Sequence, residues 1–103
     1  MAEENQLETD IEKQIWKVKG EGDPVTEVWE DFYGNLWFTT EIMEDGFRFG
    51  YARLHNMPDC AEWGYFSIEH IKEQLGKFKV WQVSKENWSN IDTYEKGLLV
   101  QVK

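Results

Sequence analysis

The sequence predicts an α+β fold: an antiparallel sheet of about five strands with one main helix and a short second helix. Short segments of β-forming residues recur along the chain, and turns containing glycine, asparagine or aspartate separate them. One stretch, residues 67–75, has the apolar spacing of a helix in Ile68, Ile71 and Leu75. The 103 residues, with six Trp, four Tyr and six Phe, suffice for one domain with one core.

The chain begins with an acidic segment and a first strand. Residues 1–12, MAEENQLETDIE, carry five carboxylates and few apolar side chains, which predicts a disordered tail over 1–12 and a single domain over 13–103. The next segment, QIWKVKG, alternates as a strand does, and GEGDP ends it. GEGDP lacks the lysine and the glycine spacing of a phosphate-binding loop, so we interpret it as a turn.

Three consecutive antiparallel strands follow. TEVWEDF and LWFTTEIM are joined by Tyr33, Gly34 and Asn35, and this predicts the clearest hairpin of the chain. The turn at 44–46 leads into FRFGYARL, in which Phe47, Phe49 and Tyr51 fall on one face.

The stretch EWGYFSIEHIKEQLG predicts a strand that passes into the main helix. Ser67 is suited to the N-cap position, with Phe66 and Ile71 placed as the hydrophobic staple on either side of it. Glu69 is favoured in the first turn by the helix dipole, and Gly76 is placed to cap the C-terminus.

The same arrangement recurs near the end of the sequence. After the strand-like KFKVWQV, the residues Val83, Ser84 and Trp88 occupy the staple and cap positions, which predicts a short second helix. GLLVQV then predicts a final strand.

The charge excludes some partners. The net charge of −9 is uneven, because residues 1–62 hold 15 acids and 5 bases (net −10) and residues 63–103 hold 5 acids and 6 bases (net +1). Such a field repels phosphate, so we expect no direct nucleic-acid binding and a basic protein surface as partner; the same charge also serves solubility alone. No membrane span or signal peptide is recognised, and with Cys60 as the single cysteine we expect a cytoplasmic location.

The residues that carry chemistry form no recognisable catalytic or metal-binding pattern. His55, Cys60 and His70 lack zinc-ligand spacing, and neither a nucleophile elbow nor a Cys–His signature is present. We therefore predict a non-enzymatic protein without a cofactor.

Alternation in the hairpin identifies the candidate site. It places Leu36, Phe38, Thr40 and Ile42 on one face, expected to be core, and Trp37, Thr39, Glu41 and Met43 on the other. The second face would present Trp37 and Glu41, with Trp29 and Asp31 from the neighbouring strand, as a cage or hot spot for a cationic partner. The alternative is structural: helices cover one sheet face and the aromatic side chains shield the other.

The segments EWGYFSIEHI and Leu36 to Glu41 also carry a family resemblance. The first resembles the G-Y-F-S-L-x-E-L signature of a group of small proteins of unknown function borne on plasmids and phages, in which a W-x-x-T-E strand precedes it. The likeness spans residues 24–75 and departs from the signature at His70, where an acid is expected. It implies a mobile-element origin and no catalytic residue.

These observations predict a protein-binding or inhibitory module with an acidic, aromatic surface. One form of this hypothesis is that the surface imitates nucleic acid and blocks a DNA- or RNA-binding protein. The alternative is a small-molecule binder with a Trp-lined pocket and carboxylates.

Overall fold

The computed structural model describes residues 10–93 and 96–102, without the side chains of residues 92 and 93. Its elements are β1 (Ile15–Val18), β2 (Glu27–Asp31), β3 (Leu36–Ile42), β4 (Arg48–Leu54), β5 (Met57–Phe66), α1 (Ile68–Leu75), β6 (Val80–Val83), a 3₁₀ helix (Lys85–Thr93) and β7 (Leu99–Val102). The predicted α+β fold is confirmed. No helix of the described part is long and apolar enough to cross a membrane.

The chain divides into two compact units, residues 1–24 with 84–103 and residues 25–83. Most of the predicted tail, residues 1–9, lies outside the described residues, and residues 10–13 form one helical turn. The prediction of a single domain over 13–103 stays a prediction.

The first unit is built on a two-stranded antiparallel ladder. β1 pairs with β7 from Ile15 opposite Val102 to Val18 opposite Leu99. The predicted second helix is the 3₁₀ helix, and its Trp88 meets Trp16 edge-to-face with ring centroids 6.4 Å apart. Because both rings are buried, this pair forms the centre of the unit's small core.

The second unit is a five-stranded antiparallel sheet with the order β5-β4-β3-β2-β6. α1 follows β5 and packs on one face of this sheet. The buried core of this contact consists of Trp29, Trp37, Ile68 and Val80, and the partly buried Ala52, Phe66, Ile71 and Leu75 pack against it. We call this side of the sheet the helix face.

The predicted helix boundaries are confirmed. Ser67 is the N-cap, and its Oγ accepts a hydrogen bond from the backbone N–H of His70 at 3.3 Å. Gly76 ends the helix with φ of 104°, a conformation that a side chain would disfavour. Both signals are local in sequence, which is why they could be recognised there.

The prediction of the core side of β3 is correct at its start and wrong at its end. Leu36 and Phe38 are fully buried, whereas Ile42 is 52% exposed and Thr39, assigned to the other face, is fully buried. A β-bulge between Thr39 and Glu41 shifts the register. Because one extra residue exchanges the two faces of a strand, alternation counted from Leu36 fails beyond the bulge. Thr39 precedes the bulge, and it is buried because both faces of β3 are covered there, as the burial of Trp37 next to Phe38 shows.

Candidate functional site: an aromatic surface on β4 and β5

The two predicted site tryptophans lie in the core. Trp29 and Trp37 are cross-strand partners, but Trp29 is only 9% exposed and Trp37 only 7% exposed. The expectation that this face of the hairpin displays them to a partner is therefore wrong. The apolar stripe of α1 must be buried against a sheet face, and it covers the one that carries these rings.

Cationic groups of the chain itself already lie over Trp29. The Arg48 guanidinium carbon is 5.5 Å from the ring centroid and the Lys72 Nζ is 5.3 Å from it. Arg48 is also bound to Glu27, whose Oε1 accepts from Arg48 Nε at 2.6 Å and from Trp29 Nε1 at 3.2 Å. The cation–π contact expected of a ligand is thus made within the molecule.

The Glu27 carboxyl is held in its charged form. Burial acts to raise its pKa, but the hydrogen bonds from Arg48 and Trp29 and the charge of Arg48 outweigh burial. The pKa therefore lies below its ordinary value of 4.5. A carboxyl whose charged form is favoured in the folded protein contributes to the stability of the fold.

Asp31, the third predicted site residue, shapes the β2–β3 turn. It is 2% exposed, and its Oδ1 accepts from the backbone N–H groups of Tyr33 and Asn35, both at 2.9 Å. Its Oδ2 accepts from Asn35 Nδ2 at 2.8 Å. Because both carboxylate oxygens of Asp31 accept hydrogen bonds inside the turn, Asp31 does not present a carboxylate to a partner as predicted.

Glu41 is exposed, but it lies on the opposite side of the sheet from Trp37. It pairs with Phe49, while Phe38 pairs with Tyr51, two residues further along β4. Cross-strand partners share a face, as do residues two apart, so Glu41 shares a face with Phe38. The bulge before Glu41 is the cause, and the four predicted residues do not form one surface.

The face that carries Glu41 also carries a cluster of four rings, Phe49, Tyr51, Trp63 and Tyr65, which we call the aromatic surface. Phe49 stacks on Trp63 with centroids 6.2 Å apart and meets Tyr65 edge-to-face at 5.1 Å. Tyr51 meets Trp63 at 5.3 Å. Tyr65 is 70% exposed and Trp63 36%, whereas Tyr51 is buried, so the cluster has a solvent side and an anchored side.

The strand pairing of β4 and β5 assembles these rings. Phe49 lies opposite Tyr65 and Tyr51 opposite Trp63, so two alternating pairs of aromatic residues meet on one face. Between them Gly50 lies opposite Gly64. A Cβ at Gly50 would be 1.8 Å from the carbonyl oxygen of Phe38, so only glycine permits β3 and β4 to approach at this point.

Sequence reasoning missed Trp63 and Tyr65 as site residues. Their segment was interpreted mainly as a junction into α1, without bounds for the strand. The spacing W-x-Y places both rings on one side of a strand, and this signal was present in the sequence. Its pairing with Phe49 and Tyr51 is long-range, and the sequence does not display it.

The surroundings of the aromatic surface are acidic. Glu41 lies beside Phe49 across β3 and β4, and the turn between these two strands contains Glu44 and Asp45. β5 contains no lysine or arginine; its Glu62 pairs with Ala52 and therefore lies on the helix face. Of the basic residues of β4, Arg48 is paired with Glu27 and Arg53 is buried.

Other candidate sites have less support. Within the described ranges, no three His, Cys, Asp or Glu side chains are gathered so that they could hold a metal ion. An open depression on α1 is lined by Glu69, Lys72, Glu73 and Lys77, with no aromatic ring. This depression is open and does not enclose a ligand.

No protein-family model, curated protein or solved structure matches the chain. The resemblance to plasmid- and phage-borne proteins and the mobile-element origin that it implies stay predictions.

Proposed function

We propose that the protein is a non-enzymatic protein-binding module, inhibitory where its partner is an enzyme, and that its aromatic surface binds a basic protein surface. The observation that carries the proposal is the contact cluster of Phe49, Tyr51, Trp63 and Tyr65, of which Tyr65 is 70% exposed. Cross-strand aromatic pairs stabilise a sheet, but a contiguous aromatic patch that stays exposed is typical of an interaction site.

The chemistry of the cluster favours a cationic partner. Tyrosine and tryptophan are enriched among residues that dominate binding energy, and contact with neighbouring rings restrains Trp63 before a partner arrives. A lysine or arginine over an aromatic face gains about 0.5 to 2 kcal/mol, depending on desolvation. Carboxylates such as Glu41 nearby increase the rate at which a positive surface is captured.

One form of the proposal is that the partner is itself a DNA- or RNA-binding protein, because its phosphate-binding surface would accept carboxylates in the place of phosphates. We place the module in the cytoplasm, since its exposed thiol Cys60 suits a reducing compartment. A small-molecule site on Trp29 and Trp37 has no comparable support, because both side chains are buried.

The proposal is tested with a defined probe, the capped octapeptide RTRTRTRT, and its acidic counterpart ETETETET. We expect only the arginine peptide to bind, and we expect Trp63→Ala to weaken its binding by about tenfold or more, as loss of a hot-spot ring does. Trp81→Ala is the matched control. Trp81 is 41% exposed and lies on the far edge strand, where its indole Nε1 donates to Glu30.

Calorimetric titration measures the affinity of the wild type and of both folded variants for each peptide. Equal affinity of wild type, Trp63→Ala and Trp81→Ala would show that the aromatic surface takes no part. Preference for ETETETET would reverse the predicted charge of the partner.

A further inference from the structure

β5 is a long strand at the edge of the sheet. It has ten residues and pairs only with β4 among the described elements. The other edge strand, β6, has four. Its length places β5 at the upper end of the usual range for strands, and edge strands are ordinarily kept short.

The backbone groups of Trp63 and Tyr65 point away from the sheet. The Met43 N–H donates to the Phe47 carbonyl oxygen at 2.8 Å, so the backbone groups of Phe47 face β3. Because these groups alternate in direction along a strand, those of Gly50 and Ala52 face β5 and meet Gly64 and Glu62.

It follows that Trp63 and Tyr65, which alternate with Gly64, direct their N–H and C=O groups outward. Their side chains are part of the aromatic surface. Each of these two residues therefore offers both an exposed ring and outward-facing backbone groups. An incoming strand that pairs with this edge would place its own side chains over those rings.

Residues 63–66 of this edge lack the features that prevent strand pairing. Natural edges are protected by lysines, prolines, bulges or short length. β5 has no lysine or arginine, its proline is Pro58, and its irregular pairing lies between Ala52 and Leu54 of β4, beyond the regular register of residues 62–66.

We propose that β5 binds the basic partner by strand addition: an extended segment of the partner pairs antiparallel with Trp63 and Tyr65 and places alternate arginine or lysine side chains over the aromatic surface. This inference rests on the proposed function. A second copy of the chain is the less suitable occupant, because its β5 carries Asp59 and Glu62 and has no lysine or arginine to place over the aromatic surface.

Antiparallel geometry specifies which peptide N–H groups matter. Residues of the added strand that lie opposite Trp63 and Tyr65 share their face, so they carry the basic side chains, and their N–H groups point at β5. In RTRTRTRT these are arginines. N-methylation of the arginine amides removes the donors that face β5, whereas N-methylation of the threonine amides removes donors that face solvent, and both peptides keep the same charge.

We expect the peptide methylated at arginine to bind about tenfold or more weakly than the peptide methylated at threonine, because at least two main-chain hydrogen bonds are lost. In amide hydrogen exchange of the wild-type protein, RTRTRTRT should slow exchange at Trp63 and Tyr65 and leave Gly64 unchanged, since the Gly64 N–H is already paired with β4.

The outcomes separate this inference from the proposed function. If both methylated peptides bind equally and Trp63→Ala still weakens binding, the rings recognise basic side chains without an added strand. If Trp63→Ala has no effect, the proposed function fails as well. Protection of Trp63 and Tyr65 without peptide, together with a dimer in sedimentation, would assign the edge to a second copy and overturn the inference.

Discussion

Trp37 and Trp63 belong to the same sheet but have different surroundings. Trp37 is 7% exposed and contacts the core beneath α1, whereas Trp63 is 36% exposed and stacks on Phe49. Alternation in the sequence assigned Trp37 to a strand, and the segment of Trp63 only to a junction between a strand and α1. Neither assignment could tell which ring a distant helix covers, because that depends on the pairing of the whole sheet.

The two tryptophans should therefore respond differently to truncation. Trp37→Ala removes a buried ring, and we expect the free energy of unfolding to fall by about 3 to 5 kcal/mol. Trp63→Ala removes a partly exposed ring and its contacts with neighbouring rings, and we expect the free energy of unfolding to fall by only about 1 kcal/mol. Urea unfolding of both variants measures the difference, and equal losses would contradict the assignment of Trp63 to a surface.

Glu27 of β2 forms an ion pair with Arg48 of β4. Hydrogen bonds and the charge of Arg48 hold the pKa of the Glu27 carboxyl below 4.5 in the folded protein, against the effect of burial. A folded-state pKa below the unfolded value means that the group stabilises the fold above pH 4.5 and that this stability is lost as the pH falls through the lower, folded-state pKa.

We expect Glu27→Gln to lower the free energy of unfolding by about 1 kcal/mol at neutral pH, the size of one charge-assisted contact. The difference between wild type and variant should shrink as the pH falls below 4.5. Chemical unfolding at a series of pH values measures it, and a difference that is constant across this range would contradict the ion-pair account.

At the scale of elements, the sequence predicts features that depend on neighbouring residues, and it does not predict features that depend on the pairing of distant strands. The start and end of α1 follow from Ser67 and Gly76, which act on their immediate neighbours. The length of β5 and the bulge after Thr39 depend on how strands pair across the sheet. The bulge moved Glu41 to the face of Phe49, and α1 covers Trp29 and Trp37 on the other face, so the predicted site was not assembled.

Ser67→Ala tests the helix start alone. Loss of the hydroxyl that accepts from the His70 N–H should cost about 1 kcal/mol of stability. Binding of RTRTRTRT should not change, because Ser67 lies outside the aromatic surface. Thermal unfolding and titration of the same sample give both values; weakened binding by a fully folded variant would mean that the junction itself contacts the partner.

For the whole molecule, the excess of acids over bases is the feature that sequence alone already identified. No basic residue lies between Lys19 and Arg48, and the second unit, residues 25–83, has 10 acids against 5 bases. The aromatic surface lies within this unit. The charge of this unit therefore supports the proposed capture of a positive partner, and it acts over distances that ring contacts do not reach.

Salt should reveal this long-range contribution. Binding of RTRTRTRT should weaken as salt rises from about 0.05 to about 0.5 M, because the screening length of exposed charges falls from about 14 Å to about 4 Å in this range. Glu41→Lys should slow association and reduce its salt dependence, with a smaller effect on dissociation. Stopped-flow measurements give both rates, and salt-independent association would assign binding to the rings alone.

The most direct measurement of the central claim is an NMR titration of the wild-type protein with RTRTRTRT, in which the indole N–H signals of all the tryptophans are followed together. The account predicts that the Trp63 indole and the amides of Trp63 and Tyr65 shift with a common saturating curve, while the indole signals of Trp29, Trp37 and Trp81 stay in place. Shifts confined to Trp81, or absent at Trp63 while the peptide binds, would contradict it.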